Sequence, residues 1–300
     1  LLMVVVIHRT TVMGKFHDTI PGVLGTMPSY YRGAISLEKE VELRKQLVSN
    51  TDVVADVIET EPQTHIFIVG ESLTRNHMEV YGYHRATTPG LAKMGNLILM
   101  NDVISSHAQT QASLRVALTA AESEDGNKYR NSLSVIDIAN LAGYKTWWIS
   151  NQQPQRATIA SISHQADVPH YISNDYNGVE VARYDEYMQP VIEKALRDPA
   201  DKKAIFIHMM GSHAQYKNRY PEQFVHFKDN DVIAYRQEPS ANEVQAINDY
   251  DNSVLYNDHV VMQIINALKD SGSGNKSLTY FSDHGEEVYR EAKIKGHGPD

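Results

Sequence analysis

The run His65-Ile-Phe-Ile-Val-Gly70 (HIFIVG), followed at once by Glu71-Ser72, decides the fold. Its apolar and β-branched residues do not alternate with polar ones, the pattern of a strand buried on both faces. Three more runs read the same way: Lys145–Ser150 (KTWWIS), Ala204–Met210 (AIFIHMM) and Leu278–Ser282 (LTYFS). Helical patterns lie between them. Ser132–Ala142 ends before Gly143, a C-cap residue, and Tyr184–Leu196 forms another. The longest opens at Ser240-Ala-Asn-Glu243, a capping box, and continues with Val244, Ile247, Tyr250, Val254, Val261, Ile265 and Leu268 at helical spacing. Strands alternating with helices predict an α/β fold: three layers, αβα, around a central, mainly parallel sheet.

Working outward, residues 36–59 carry alternating charges with spaced Val, Leu and Ile and predict a helix. Residues 8–35, with Pro21, Pro28 and several Gly, read as a connecting segment. Leu1–Ile7 is solidly apolar. It reads either as a buried strand or as the end of a transmembrane helix lying upstream. The expected organisation is therefore a connecting segment and helix over 1–60, after a transmembrane region, and a catalytic domain over 61–300 that continues beyond Asp300. No run of about 18 apolar residues occurs within the chain itself.

Composition narrows the function. Hydrophobic residues make up 42% and charged residues 22%, which excludes a disordered, collagenous or coiled-coil chain. A net charge of −9 argues against a nucleic-acid partner. With no cysteine, disulfides, thiolate metal sites and a cysteine nucleophile are all excluded. Trp147, Trp148 and the ten Met read as core, and Lys202-Lys203 as a solvated turn.

Parallel sheets place ligands at the carboxyl ends of their strands. There the first run delivers Glu71, the second Asn151-Gln152-Gln153, the third Gly211-Ser212-His213 and the fourth Asp283-His284-Gly285-Glu286. Glu71, His213, Asp283 and His284 should converge on one sheet edge. Glu, Asp and His around an open site suit zinc and, less selectively, manganese. A hydroxyl nucleophile is available in Ser105–Ser113, just before the helix formers Leu114–Ala121, where a helix N-terminus favours a phosphoryl group. Spacing alone does not separate Ser106, Thr110 and Ser113, and Thr110 or Gln109 could equally be an N-cap.

Longer motifs carry a resemblance. Phe67-Ile-Val-Gly-Glu-Ser72, Tyr81-Gly-Tyr83, Thr87-Thr-Pro89, His208-Met-Met-Gly-Ser-His213 with Tyr216-Lys-Asn-Arg-Tyr-Pro221, Asn248-Asp-Tyr-Asp-Asn252 with Tyr256, and Tyr280-Phe-Ser-Asp-His-Gly-Glu286 occur in this order. The chain resembles the phosphoethanolamine transferases of the sulfatase-like alkaline phosphatase superfamily over about residues 64–298. Trp148-Ile-Ser-Asn-Gln152 and Asp283-His-Gly-Glu-Glu-Val-Tyr289 resemble most the cysteine-poor branch that modifies lipopolysaccharide-core heptose.

The resemblance implies that Glu71, Thr110, Asp283 and His284 bind zinc, with a second ion allowed, and that Thr110 is the nucleophile. It implies phosphate binding and catalysis by His213 and His297, and contact of Asn151 or Gln152 with the phosphoethanolamine group. The implied reaction starts when zinc lowers the pKa of the Thr110 hydroxyl and the oxygen attacks phosphatidylethanolamine in line. Diacylglycerol leaves, and a sugar hydroxyl of lipopolysaccharide or a related glycolipid then takes the phosphoethanolamine from Thr110. The implied location is a bacterial inner membrane, attached through the upstream region, with the catalytic domain in the periplasm. Two alternatives stand beside it: a phosphodiesterase or phosphatase of the same superfamily, and a degenerate domain binding glycan or lipid. A sulfatase is disfavoured. Its aldehyde nucleophile needs Cys or Ser followed by x-Pro-x-Arg, and the residue here is Thr110 without that motif.

Overall fold

The computed structural model describes residues 37–55, 57, 61–122, 128–153, 157–172 and 184–297. Leu1–Ile7 and the connecting segment 8–35 lie outside the described residues.

Five parallel strands form the main sheet: β1 (Gln63–Gly70), β2 (Lys145–Ser150), β3 (Val168–Tyr171), β4 (Lys202–His208) and β5 (Asn275–Ser282), in the order β3-β2-β4-β1-β5. The helices are α1 (37–49), α2 (Pro89–Ala92), α3 (Thr110–Ala117), α4 (Val135–Leu141), α5 (Ala157–Ser163), α6 (Gln189–Leu196) and α7 (Ala241–Asp270). A short antiparallel pair, β6 (Glu287–Val288) and β7 (Lys295–Gly296), follows β5.

Both sheet faces are covered, which explains the unbroken apolar runs. Ile66, Ile68, Trp147, Ile149, Ile205 and Ile207 pack on one side against α6 and α7. On the other side Val69, Trp148 and Phe206 meet Leu114 of α3, Ile136 of α4 and Ile162 of α5. The three-layer αβα architecture is thus observed, with both tryptophans in the core.

The boundaries differ from the sequence expectation for physical reasons. The first helix stops at residue 49 rather than 59, and 51–55 is irregular. Arg44 anchors it: its guanidinium is buried, donates to the Tyr129 carbonyl at 2.8 Å and pairs with Asp137 at 3.3 Å. Lys202 and Lys203 are not a solvated turn; they begin β4, and the Lys203 ammonium caps the carbonyls of Leu196 and Asp198 at 3.0 Å each beyond α6. The segment 184–196 starts as a 3-10 turn, Asp185–Met188, before α6. The capping box at Ser240 and Glu243 forms as expected and starts the thirty-residue α7.

A second capping box, Ser134 with Asp137, starts α4. Ser134→Ala should lower unfolding stability by about 1 kcal/mol, read as a lower urea midpoint at unchanged slope. An unchanged midpoint would mean that the Arg44–Asp137 pair, not the cap, holds this corner.

Candidate metal and phosphoryl-transfer site

Three strand ends build the site. β1 delivers Glu71, β5 delivers Asp283 and His284, and β2 delivers Asn151 and Gln152. The first turn of α3 presents Thr110. Glycine suits position 70 at the end of β1, because a Cβ there would run into the buried Tyr280 hydroxyl of β5. The next turn is strained: Ser72 has φ +54°, an uncommon conformation for a non-glycine residue. The strain turns the Ser72 N–H onto Asp283 Oδ1 at 3.1 Å. Tyr250 of α7 braces the same loop by donating to the Ser72 carbonyl at 2.6 Å and accepting from the Thr74 N–H at 3.0 Å.

Glu71, Asp283 and His284 are all buried, and their ligand atoms lie within 4.8 Å of one another. His284 Nε2 stands 3.3 Å from Glu71 Oε1 and 3.4 Å from Asp283 Oδ2. Its other nitrogen, Nδ1, meets the Gly285 carbonyl at 2.8 Å. A carbonyl only accepts, so Nδ1 carries the proton and Nε2 directs its lone pair into the cluster when the ring is neutral. His284 Nε2 and Asp283 Oδ2 are buried and make no hydrogen bond. Two buried polar atoms left over beside a second carboxylate have the chemistry of a cation's donor set, and one imidazole with two carboxylates suits zinc. The residues fit the ion.

The charges are set by the same geometry. Burial works to raise Glu71, but the His284 ring, Gln152 and nearby positive charge outweigh it and hold the carboxyl at about 2. Burial and the Glu71 charge push Asp283 up to about 7. Burial opposes the His284 cation, yet Glu71 and Asp283 raise its pKa to about 9. Without a cation the cluster holds protons.

The Thr110 hydroxyl donates to Glu71 Oε2 at 3.1 Å. Thr110 is the first residue of α3, after Gln109 at the N-cap position, and neither side chain caps the helix. Thr110 is therefore not the N-cap, and Gln109 holds that position without a capping hydrogen bond. Ser113 instead turns away and bonds the Asp283 carbonyl, and Ser106 is exposed in the preceding loop. Gln152 donates to Glu71 Oε2 at 2.8 Å and to the Met209 carbonyl at 2.9 Å, so its amide braces a ligand. Asn151 points elsewhere, donating to the buried Asp185 at 2.8 Å.

His213 lies on the loop after β4, outside the three-residue cluster. Arg219 donates to the His213 carbonyl at 2.9 Å and its NH2 group faces His213 Nδ1 at 3.4 Å. A guanidinium only donates, so the His213 proton sits on Nε2. His297 packs against His284 with ring centroids 4.4 Å apart and meets Glu286 Oε2 at 3.2 Å. Glu286 is an addition to the sequence-derived site. It accepts from the Tyr216 hydroxyl at 2.5 Å and groups with His284 and His297 as a second set of adjacent ligand atoms. The Asp-His-Gly-Glu run was the signal for it.

The chain is similar to known proteins over most of its length. A sequence model of the Sulfatase family matches residues 63–300. The phosphoethanolamine transferase EptC of Escherichia coli is 39% identical over 245 residues, covering 79% of this chain and 42% of EptC. The phosphoethanolamine transferase CptA of Salmonella typhimurium is 38% identical over 244 residues, covering 79% of this chain and 42% of CptA. The chain thus spans less than half the length of these relatives. Among solved structures, the C-terminal periplasmic domain of E. coli EptC in complex with Zn superposes with a TM-score of 0.74 at 38% identity, covering 81% of this chain and 70% of that one.

Proposed function

We propose, for a chain that belongs to the Sulfatase family, zinc-dependent transfer of phosphoethanolamine from phosphatidylethanolamine to a sugar hydroxyl of lipopolysaccharide or a related envelope glycolipid. The observation that carries this reading is the Thr110 hydroxyl, 3.1 Å from Glu71, beside buried ligand atoms that make no hydrogen bond. The similarity to named phosphoethanolamine transferases supports the transferred group. We read 61–300 as the catalytic domain and 1–60 as its link to a bacterial inner membrane, with the site facing the periplasm. That location accords with the periplasmic domain of the similar E. coli structure.

Glu71, Thr110, Asp283 and His284 would hold one zinc ion, which when bound would acidify the Thr110 hydroxyl and draw charge from the phosphoryl oxygens. Glu286 and His297, beside His284, would accommodate a second; manganese is the poorer match to an imidazole-bearing site. The chain's own residues do the rest. Gln152 and the Ser72 turn fix the two carboxylates. The Thr110 hydroxyl gives up its proton through Glu71 Oε2 to solvent, and the oxygen so freed attacks phosphorus. The Thr110 oxygen–phosphorus bond forms as the bond to diacylglycerol breaks. His213 hydrogen-bonds the leaving oxygen through its Nε2–H while solvent supplies the proton that makes it an alcohol, and His297 lies beside the phosphoryl oxygens. In the second half the sugar hydroxyl, held at His213, loses its proton to solvent as its oxygen takes the phosphoryl group, and the freed Thr110 oxygen regains a proton through Glu71 Oε2.

The test is mass spectrometry of zinc-loaded chain incubated with phosphatidylethanolamine and no acceptor. A phosphoethanolamine adduct on Thr110 is expected, chased by added lipopolysaccharide. Release of free phosphoethanolamine as the sole product, with no acceptor modified, would favour the hydrolase.

A further inference from the structure

We propose that Asp185 is a positioning residue that holds Asn151 and the His213 loop in one arrangement for the phosphorylated substrate, an inference that rests on the phosphoethanolamine-transfer reading. Asp185 lies outside every motif above, in the 3-10 turn between β3 and α6, and is 4% exposed. A carboxylate buried to that degree is retained only if its oxygens are satisfied. Here they are satisfied by site elements from two other strands. Oδ1 accepts from the Asn151 side-chain amide beyond β2 and from the Met210 N–H beyond β4, both at 2.8 Å. Oδ2 accepts from the Gly211 N–H at 2.9 Å.

Those bonds fix the turn that matters most. Gly211 has φ +52°, and a Cβ there would lie 2.7 Å from the Glu71 carbonyl oxygen. The next N–H, of Ser212, donates to that same carbonyl at 3.0 Å. The turn therefore packs directly on the Glu71 backbone and launches His213. Asp185 is anchored from behind, since the Glu186 N–H donates to the buried Tyr256 hydroxyl of α7 at 3.1 Å.

Asp185→Asn keeps the size but replaces one acceptor by an NH2 donor facing N–H groups. It is expected to raise KM for phosphatidylethanolamine about 10-fold or more, with a smaller fall in kcat, while zinc content stays near that of the native chain and Tm falls only by what one lost buried hydrogen bond accounts for. Asp185→Glu should recover part of the loss. In an Asn151→Ala background the same substitution should have a much smaller effect on KM, because the residue it orients is gone. Two readouts stand apart from transfer. Hydrogen exchange at residues 209–213 should quicken at least 10-fold in Asp185→Asn while β4 keeps its protection. Affinity for O-phosphoethanolamine, measured calorimetrically on zinc-loaded Thr110→Ala, should fall in parallel when Asp185→Asn is added. If the native chain transfers nothing but these two readouts move, the reaction is misread and the positioning role stands. Unchanged KM, exchange and affinity in Asp185→Asn would overturn the proposal, as would zinc and Tm falling in step with activity, which is the mark of a merely structural carboxylate.

Discussion

Thr110→Ala is expected to fold, retain zinc, and lose transfer by at least about three orders of magnitude, the scale on which deleting a covalent nucleophile acts. Folding should survive because the side chain bonds only to the carboxylates of the cluster and does not cap α3; losing such a bond costs about 1 kcal/mol. Zinc should persist, if more weakly, because the two carboxylates and His284 remain. Thr110→Ser should keep part of the activity, since a primary hydroxyl at the same first helical position can reach the same phosphorus. Ser106→Ala should be mild, the residue being exposed and remote from the cluster's hydrogen bonds. Ser113→Ala should be intermediate: its hydroxyl supports the Asp283 carbonyl, so it disturbs a ligand without removing the nucleophile. Steady-state transfer and adduct mapping on this series decide the matter. Native-rate transfer by Thr110→Ala with a dead serine variant would move the nucleophile; activity in all three alanine variants would end the covalent route.

The parts of this site that could be read in the sequence are those that local chemistry dictates. A strand buried on both faces must be apolar throughout, so β1, β2, β4 and β5 announced themselves, and the polar residues just past them fell at the ligand-binding edge. β3 did not, because Val-Pro-His-Tyr at a sheet edge has one neighbour strand, is partly exposed, and carries Pro169, which an edge tolerates. Lys202 and Lys203 looked like turn residues because charge usually marks solvent. Their ladder partners in β1 and β2, and carbonyls beyond α6, appear only once the chain is folded. Asp185 had no signal: an acidic pair such as Asp185-Glu186 at the start of a helix is ordinary, and its partners are Asn151, Met210 and Gly211, all at least 25 residues away in sequence. Gln152 was legible as a site residue, since the resemblance puts Asn151 or Gln152 against the phosphoethanolamine group; that its NH2 group also braces Glu71 and bonds the Met209 carbonyl depends on residues far away in sequence.

The metal makes the second large prediction. Asp283→Asn and His284→Ala should each weaken zinc binding by more than about 100-fold, whereas Gln152→Ala should weaken it by about 10-fold, because outer partners of metal ligands contribute about 10–100-fold and a ligand must exceed them. The metal-free proteins should behave in the opposite sense. Glu71 and Asp283 are buried against each other, and that confinement drives Asp283 up to about 7 and His284 up to about 9. Removing one carboxylate relieves a cost that only a cation otherwise offsets. Metal-free Asp283→Asn should therefore unfold at the same temperature as the metal-free native chain or higher, while zinc raises Tm in the native chain and not in the variant. The sign with pH follows from the same groups. Zinc must displace the protons held on His284 and, near neutrality, on Asp283, so apparent affinity should fall by about tenfold for each pH unit from 9 toward 7 and more steeply below. Zinc content by elemental analysis and Tm with and without chelator measure all of this. Full zinc retention in both Asp283→Asn and His284→Ala would remove the cluster as the ion's seat. A metal-free Asp283→Asn less stable than the metal-free native chain would mean that Asp283 is held by its hydrogen bonds to Ser72 and His284 N–H groups, with structure rather than metal as the reason it is buried.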